Sequence, residues 1–270
     1  MVAHSLSLAA LTVLELSPPN MVSCAASAGY AHIGLRLIPA TATELTWPTI
    51  GDTSLVREVE RRLDDTGITV LDIEIFRLKA DTCVADYAAA LETGARLGAR
   101  HVLVAGNDPD EARLTERFAA LCELGAPLGL TMDLEAMPWT DVKTLQQCAR
   151  IVANARMDNG GVLIDPIHFD RAGNVATDIV AVPRARFHYA QLCDAPAERP
   201  DDAETLLFQA RAERLMPGDG GLDLKGILRG LPDGLPLGLE IPMHELAKRL
   251  GAVDRARQMR LKAEALLAQL

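Results

Sequence analysis

The chain has 270 residues and a formal net charge of −10, and no cluster of lysine and arginine stands out against this acidic balance. Proteins that bind the phosphate backbone of DNA or RNA usually carry such a cluster, so the charge argues against nucleic acid as a partner. Nearly half of the residues (49%) are apolar and no segment is of low complexity, so we expect residues 1–270 to fold as one domain.

The apolar run from Val2 to Leu16 has no basic residue ahead of it and contains Glu15, which argues against a signal peptide or a membrane span. The five cysteines are far apart and form no Cys-x-x-Cys pair, so we expect buried thiols rather than zinc or redox chemistry. These features favour a cytoplasmic protein with a small-molecule substrate and no membrane partner. A homo-oligomer is compatible with them.

Short β-rich segments alternate with longer helical patterns along the whole chain. Eight strands are predicted, at Ser5 to Leu11, His32 to Leu37, Thr69 to Phe76, His101 to Ala105, Gly129 to Glu135, Gly161 to Asp165, Arg186 to Leu192 and Pro236 to Ile241.

Helical patterns fill most of the intervals, with capping residues before them and glycine after several of them. Helices are predicted at about 53–67, 86–97, 110–124, 140–155 and 243–269, and residues 193–221 form the one long irregular stretch. Eight strand–helix repeats favour a closed (β/α)8 TIM barrel over an open sheet, and no Gly-x-Gly-x-x-Gly motif follows the first strand.

Polar residues stand at the predicted strand ends, where the carboxyl-terminal mouth of a barrel builds its active site. They are Arg36, Glu74, Asn107, Glu135, Asp165, Gln191 and Glu240. Alternation along the seventh strand places Tyr189 and Gln191 on one face, and it directs His188 toward the helices if the strand has no bulge.

Three of these side chains, Glu135, Asp165 and Glu240, are carboxylates that cannot all stay ionised in close proximity without a cation. With the amide of Gln191 they form an oxygen-rich donor set, which suits Mn²⁺ or Mg²⁺ better than a thiolate-binding metal. The competing interpretation is that an acidic residue after a strand caps the next helix.

Alternatives also stay open for the residues around this set. His168 fits a structural hydrogen bond as well as a place in the site, and Arg36 with Glu74 fits an internal ion pair.

Several short motifs, in this order and spacing, resemble the xylose-isomerase-like barrels, which include sugar isomerases and epimerases, inosose dehydratase and endonuclease IV. They are Asp-Ile-Glu-Ile at 72–75, Leu-Glu-Ala-Met-Pro at 134–138, Asp-Pro-Ile-His-Phe at 165–169, Gln-Leu-Cys-Asp-Ala at 191–195, Pro-Gly-Asp-Gly at 217–220 and Gly-Leu-Glu at 238–240.

The resemblance implies that Asp165 is a metal ligand and that His168 lies on the substrate side. It also implies that Glu135 and Glu240 both hold the metal and transfer a proton beside a polarised carbonyl. Many relatives have histidine where this chain has Gln191, which makes zinc a weaker expectation. Substrate contacts are expected from His168 and from Arg36, Glu74, Asn107 and Asp194.

Four functions compete. A metal-dependent isomerase or epimerase of a small sugar-like keto substrate comes first, and a dehydratase of a related hydroxy-keto or hydroxy-acid substrate comes second, with Arg36 holding a substrate carboxylate. A DNA-repair endonuclease is disfavoured because the chain has only six histidines and an acidic balance. A barrel that has lost catalysis and serves as a binding protein is the fourth.

Overall fold

The computed structural model describes residues 4–270, and the run that begins at Val2 therefore starts outside the described residues. Within residues 4–270, eight parallel strands form one sheet in the order β6-β5-β4-β3-β2-β1-β8-β7. The strands are β1 Leu6–Leu8, β2 His32–Arg36, β3 Thr69–Lys79, β4 His101–Asn107, β5 Thr131–Glu135, β6 Gly160–Leu163, β7 Ala190–Leu192 and β8 Leu237–Leu239.

The ring between β6 and β7 is bridged by a backbone hydrogen bond, which Gln191 N donates to Ile164 O over 2.9 Å. Together with the parallel pairing of the other neighbours, this makes a nearly closed barrel. The predicted (β/α)8 TIM-barrel fold is thereby confirmed. No helix in residues 4–270 is long and apolar enough to cross a membrane.

Helices surround the barrel. They are α1 Pro18–Ala28, α2 Ser54–Thr66, α3 Ala88–Arg96, α4 Glu111–Gly125, α5 Leu145–Ala155, α6 Pro166–Arg171, α7 Ala203–Ala212, α8 Leu224–Gly230, α9 His244–Ala247 and α10 Ala252–Leu267. Those from α1 to α8 lie between consecutive strands in the chain, and α9 and α10 follow the last strand. Local signals set their ends: the Thr53 hydroxyl accepts from Val56 N at the start of α2, and Gly67 ends that helix with a φ of 72°.

Several predicted bounds differ from those of the structure, and two predicted segments differ in kind. The stretch at 193–221 was predicted to be irregular, but it contains α7, which begins where the Asp202 carboxylate accepts from Thr205 N over 2.8 Å. The predicted closing helix at 243–269 is interrupted, because the chain is extended at Gly251 (ψ 153°) before α10 begins.

The direction predicted for His188 is wrong. Strand β7 begins only at Ala190, so alternation along the strand does not apply to residue 188. Its imidazole points into the barrel, where Nδ1 lies 2.7 Å from Asp133 Oδ1. His188 thus belongs to a polar layer at the amino-terminal end of the barrel, together with His101, whose ring stacks against its own at 6.1 Å. The site at the mouth does not include it.

Candidate active site

Four predicted metal ligands are buried at the carboxyl-terminal ends of neighbouring strands. Glu135 is the last residue of β5, Asp165 lies between β6 and α6, Gln191 is in β7, and Glu240 follows β8. All four side chains are buried. The barrel topology therefore brings residues that are far apart in sequence to one end of the ring.

Asp165 both caps a helix and faces the site. Its Oδ1 accepts from Ile167 N over 3.0 Å, which is the helix-capping interaction that the competing interpretation anticipated. Its Oδ2 lies 3.7 Å from His168 Nε2, and the same nitrogen lies 3.7 Å from Glu135 Oε1. Because α6 starts at Pro166, His168 falls one turn along the helix, above the strand ends.

Arg214 is a buried cation in the middle of this acidic cluster. Its Nη1 donates to Asp165 Oδ2 over 2.6 Å, and its Nη2 is paired with Glu240 Oε2 at 2.8 Å. The guanidinium also donates to the Glu240 carbonyl oxygen and to the Ala210 carbonyl oxygen. Arg214 was not predicted, because nothing in the sequence distinguishes it from neighbouring arginines such as Arg211.

The donor atoms fit a divalent cation. Glu135, Asp165 and His168 each offer one ligand atom, and these atoms lie within 4.8 Å of one another. Glu135 Oε1 and Gln191 Oε1 are buried and have no hydrogen-bond partner among the described residues. Buried oxygen atoms without partners are costly unless a ligand binds them, and oxygen donors suit hard cations. Glu240, by contrast, directs its carboxylate to Arg214.

Burial and neighbouring charges shift the pKa of all three acidic residues of the site. Burial, reinforced by Asp165 and Glu240, raises the pKa of Glu135 well above its usual range. Burial also raises the pKa of Glu240, to about 8, although Arg214 opposes the shift. For Asp165, burial works in the same direction, but Arg214 and His168 outweigh it and lower the pKa. Glu240 is therefore poised to exchange a proton near neutral pH, and Glu135 holds its proton more strongly than a solvent-exposed glutamate does.

His168 is held as a neutral imidazole, since burial lowers its pKa to about 4. Its ring stands edge-on to Trp139, with the two centroids 4.7 Å apart. Its Nδ1 is buried and lacks a hydrogen-bond partner within residues 4–270. A neutral ring with an unused nitrogen can donate or accept a hydrogen bond from a bound molecule.

A cavity of about 230 Å³ opens onto these groups. Its lining includes Glu135, His168, Arg214 and Glu240, and also Arg36, Glu74, Arg77, Trp139 and Arg211. The volume is below the roughly 300–1,000 Å³ of drug-sized pockets, so the cavity suits a small metabolite.

Arg36 and Glu74 form the internal ion pair that was the alternative to a substrate-binding role. Arg36 Nε donates to Glu74 Oε1 over 3.0 Å, and its Nη1 donates to Glu44 Oε1 over 2.8 Å. Both side chains still line the cavity, and Glu74 Oε2 is buried without a partner in the described part of the chain. Arg36 therefore faces the cavity with its charge already balanced by two carboxylates.

The other two predicted substrate contacts lie outside the lining of the cavity. Asn107 Oδ1 accepts from Arg77 Nη1 over 2.9 Å, so it positions a cavity residue. The Asp194 carboxylate accepts from backbone N–H groups of Ala195, Gly218, Gly220 and Leu222, at 2.9–3.2 Å. Asp194 thus fastens the Pro-Gly-Asp-Gly loop, and its hydrogen bonds are those of a structural residue.

Sequence reasoning also missed Arg77, Trp139 and Arg211. The third strand was predicted to end at Phe76, but β3 continues to Lys79 and so carries Arg77 to the mouth. Arg211 lies in α7, within the stretch that was predicted to be irregular, and its guanidinium lies 5.7 Å from the centre of the Trp139 ring. Arg77 and Arg211 were missed because neither the extension of β3 nor α7 was predicted from the sequence.

The fold and the site define a (β/α)8 barrel with a carboxylate-rich cluster at its mouth that could hold a divalent metal. The sequence matches the family described as "Xylose isomerase-like TIM barrel" over residues 22–266, and the chain belongs to that family.

A curated relative, 3-dehydroshikimate dehydratase from Pseudomonas aeruginosa, is 29% identical over 222 residues, which are 75% of this chain and 34% of the relative. The chain thus matches only about a third of that relative's length.

Two solved structures show the same fold. The IolI protein, solved with a bound zinc atom, superimposes with a TM-score of 0.78 at 19% identity and covers 98% of both chains. D-psicose 3-epimerase, solved in the presence of D-fructose, gives a TM-score of 0.74 at 13% identity and covers 97% of this chain and 99% of its own. The curated relative bears the name of a dehydratase, and one of the two structures that share the fold bears the name of an epimerase.

Proposed function

We propose that this protein is a metal-dependent dehydratase that removes water from a small hydroxy-keto acid, with 3-dehydroshikimate as the first substrate to test. The observation that carries the proposal is the buried donor set of Glu135, Asp165 and His168, whose ligand atoms lie within 4.8 Å of one another, together with the raised pKa of Glu135 and of Glu240. Similarity to a 3-dehydroshikimate dehydratase over three quarters of the chain favours water loss over epimerisation.

Glu135, Asp165 and Gln191 would hold the cation, with His168 or Glu240 beside them. When bound, a divalent cation supplies Lewis-acid polarisation of the substrate carbonyl. Mn²⁺ or Mg²⁺ fits the oxygen donors, and the imidazole also allows zinc.

The residues of the chain perform the proton transfers in this proposal. The Glu240 carboxylate accepts the proton from the carbon next to the carbonyl, and a carbon–carbon double bond forms as the β-hydroxyl group departs. The departing hydroxyl group takes up the proton that Glu240 accepted and leaves as water, so Glu240 is regenerated and no oxidant or reductant is required. His168, with its free Nδ1, donates a hydrogen bond to the substrate. Arg214 positions Glu240 through their 2.8 Å pair.

The test incubates purified protein and Mn²⁺ or Mg²⁺ with 3-dehydroshikimate and follows the loss of one water by mass spectrometry. Replacing Glu240→Gln should lower kcat by about 10²–10⁴-fold, because the amide still accepts from Arg214 but cannot take up a proton. Glu245→Gln, at an exposed position nearby, is the matched control and should leave turnover unchanged.

An isomerase or epimerase of a keto-sugar is the second candidate, since Glu135 and Glu240 come from strands three places apart in the ring and can approach a substrate from different sides. Uptake of solvent deuterium into a keto-sugar, without water loss from 3-dehydroshikimate, would support this candidate and reject the dehydratase. Inactivity in both assays with added Mn²⁺ would reject both.

A further inference from the structure

Two arginines in the cavity have no acidic partner. No carboxylate oxygen among the described residues lies within 4.0 Å of the guanidinium nitrogens of Arg77 or Arg211. Arg36 and Arg214, which line the same cavity, each have two carboxylate partners. Arg77 and Arg211 therefore bring positive charge into the cavity that the protein does not neutralise.

Arg77 is held by one side-chain hydrogen bond, and one of its buried N–H groups has no acceptor among the described residues. Its Nη1 donates to Asn107 Oδ1 over 2.9 Å, which fixes the plane of the guanidinium. Its Nε is buried and has no hydrogen-bond partner in residues 4–270. A buried N–H without an acceptor costs free energy in the unliganded protein, and an incoming oxygen atom recovers that cost.

Arg211 approaches the cavity from α7 and lies 5.7 Å from the centre of the Trp139 ring. The pKa of Arg77 is lowered by burial and then by Arg211 and Arg36, so the charges of these arginines interact. An anion bound beside them relieves that repulsion. A carboxylate matches a guanidinium geometrically, because two of its oxygens accept from two N–H groups.

We infer that Arg77 and Arg211 form a subsite for the carboxylate of an acidic substrate, with Trp139 as its wall. This inference rests on the proposed function and names the substrate class: the substrate is a small acid held between the two arginines and the group formed by Glu135, Asp165 and His168. From the sequence, Arg36 was expected to bind a substrate carboxylate. Because Arg36 is already paired with two carboxylates, we assign that role to Arg77 and Arg211.

The test uses isothermal titration calorimetry with 3,4-dihydroxybenzoate, which is the aromatic acid formed when 3-dehydroshikimate loses water. The uncharged 3,4-dihydroxybenzamide is titrated in parallel, in the presence of Mn²⁺. Both compounds carry the same two hydroxyl groups, so the difference in affinity isolates the carboxylate. We expect the acid to bind about 10–100-fold more tightly than the amide.

Arg77→Met and Arg211→Met should each remove most of this preference by weakening the acid and leaving the amide unchanged. Arg100→Met is the matched control, because Arg100 lies at the other end of the barrel and lines a different cavity. Thermal denaturation of each variant checks that the fold persists, and Arg77→Lys should recover part of the affinity.

The outcomes separate this inference from the proposed function. Equal affinity for acid and amide, or a preference that survives both methionine variants, overturns the subsite. Inorganic phosphate that displaces the acid with higher affinity overturns the assignment to a carboxylate. An arginine-dependent preference for the acid supports the subsite even if 3-dehydroshikimate is not turned over, and in that case the proposed reaction alone fails.

Discussion

Arg214 donates a hydrogen bond of 2.6 Å to Asp165, and both side chains are fully enclosed by the protein. The same guanidinium is paired with Glu240, so one buried cation joins the sixth and eighth strand ends. A buried charge that loses its partner is strongly destabilising, since no water replaces the lost interaction. Arg214 thus balances the negative charge of Asp165 and Glu240, two residues that were predicted to bind a metal.

Replacing Arg214→Met should lower the free energy of unfolding by about 3–5 kcal/mol in metal-free protein, because Asp165 and Glu240 lose their common partner. Added Mn²⁺ should restore part of this loss, since a bound cation neutralises the same carboxylates. Urea denaturation with and without Mn²⁺ measures both effects. Arg257→Met removes an exposed ion pair with Asp254 and should cost less than about 1 kcal/mol. A similar loss in both variants would contradict the importance of the buried pair.

Gln191 offers a second prediction, because its Oε1 is a buried oxygen without a partner in the described residues. Gln191→His exchanges this amide oxygen for an imidazole nitrogen. The affinity for Zn²⁺ relative to Mn²⁺ should rise by at least about tenfold, since imidazole favours zinc and amide oxygen favours harder ions. Competition titration with a chelating dye measures the ratio. An unchanged ratio would show that Gln191 does not contact the metal.

Sequence periodicity was sufficient for the fold, because most strands of the barrel are apolar segments with a polar residue at or just after their carboxyl-terminal end, as at Glu135 and Glu240. Periodicity also placed these two side chains at the mouth, where the structure has them. It could not place Arg77, Arg211 or Arg214. Their long side chains reach the site from an extension of β3, from α7 and from the second residue after α7, and the direction of each side chain depends on tertiary packing.

Asp194 shows why a motif can suggest the wrong partner. As part of the motif Gln-Leu-Cys-Asp-Ala at 191–195 it was expected to contact the substrate, yet its carboxylate accepts hydrogen bonds from four backbone N–H groups. Asp194→Asn keeps the shape but turns one acceptor into a donor. The variant should lose about 2–3 kcal/mol of stability. Amide hydrogen exchange at residues 218–222 should accelerate, whereas exchange in α10 should not. Unchanged exchange at those residues would contradict the anchoring role.

The polar layer at the amino-terminal end of the barrel predicts a pH dependence of stability. Burial lowers the pKa of His101 to about 4, and its Nδ1 lies 2.8 Å from Thr131 Oγ1. Between pH 6.5 and 4 the unfolded chain binds a proton at this position and the folded chain does not. Stability is therefore fully present above pH 6.5 and falls as the pH drops toward 4, by roughly 2–3 kcal/mol from this residue.

Replacing His101→Gln should remove that contribution, because glutamine can keep the hydrogen bond to Thr131 but does not titrate. The free energy of unfolding, measured in urea at several pH values between 4 and 7.5, should decline less steeply in the variant than in the native protein. His244→Gln is the matched control: His244 is exposed, so its hydration changes little on unfolding and the native slope should persist. Parallel curves for the native protein and His101→Gln would mean that His101 is solvated, and able to take up a proton, in the folded barrel.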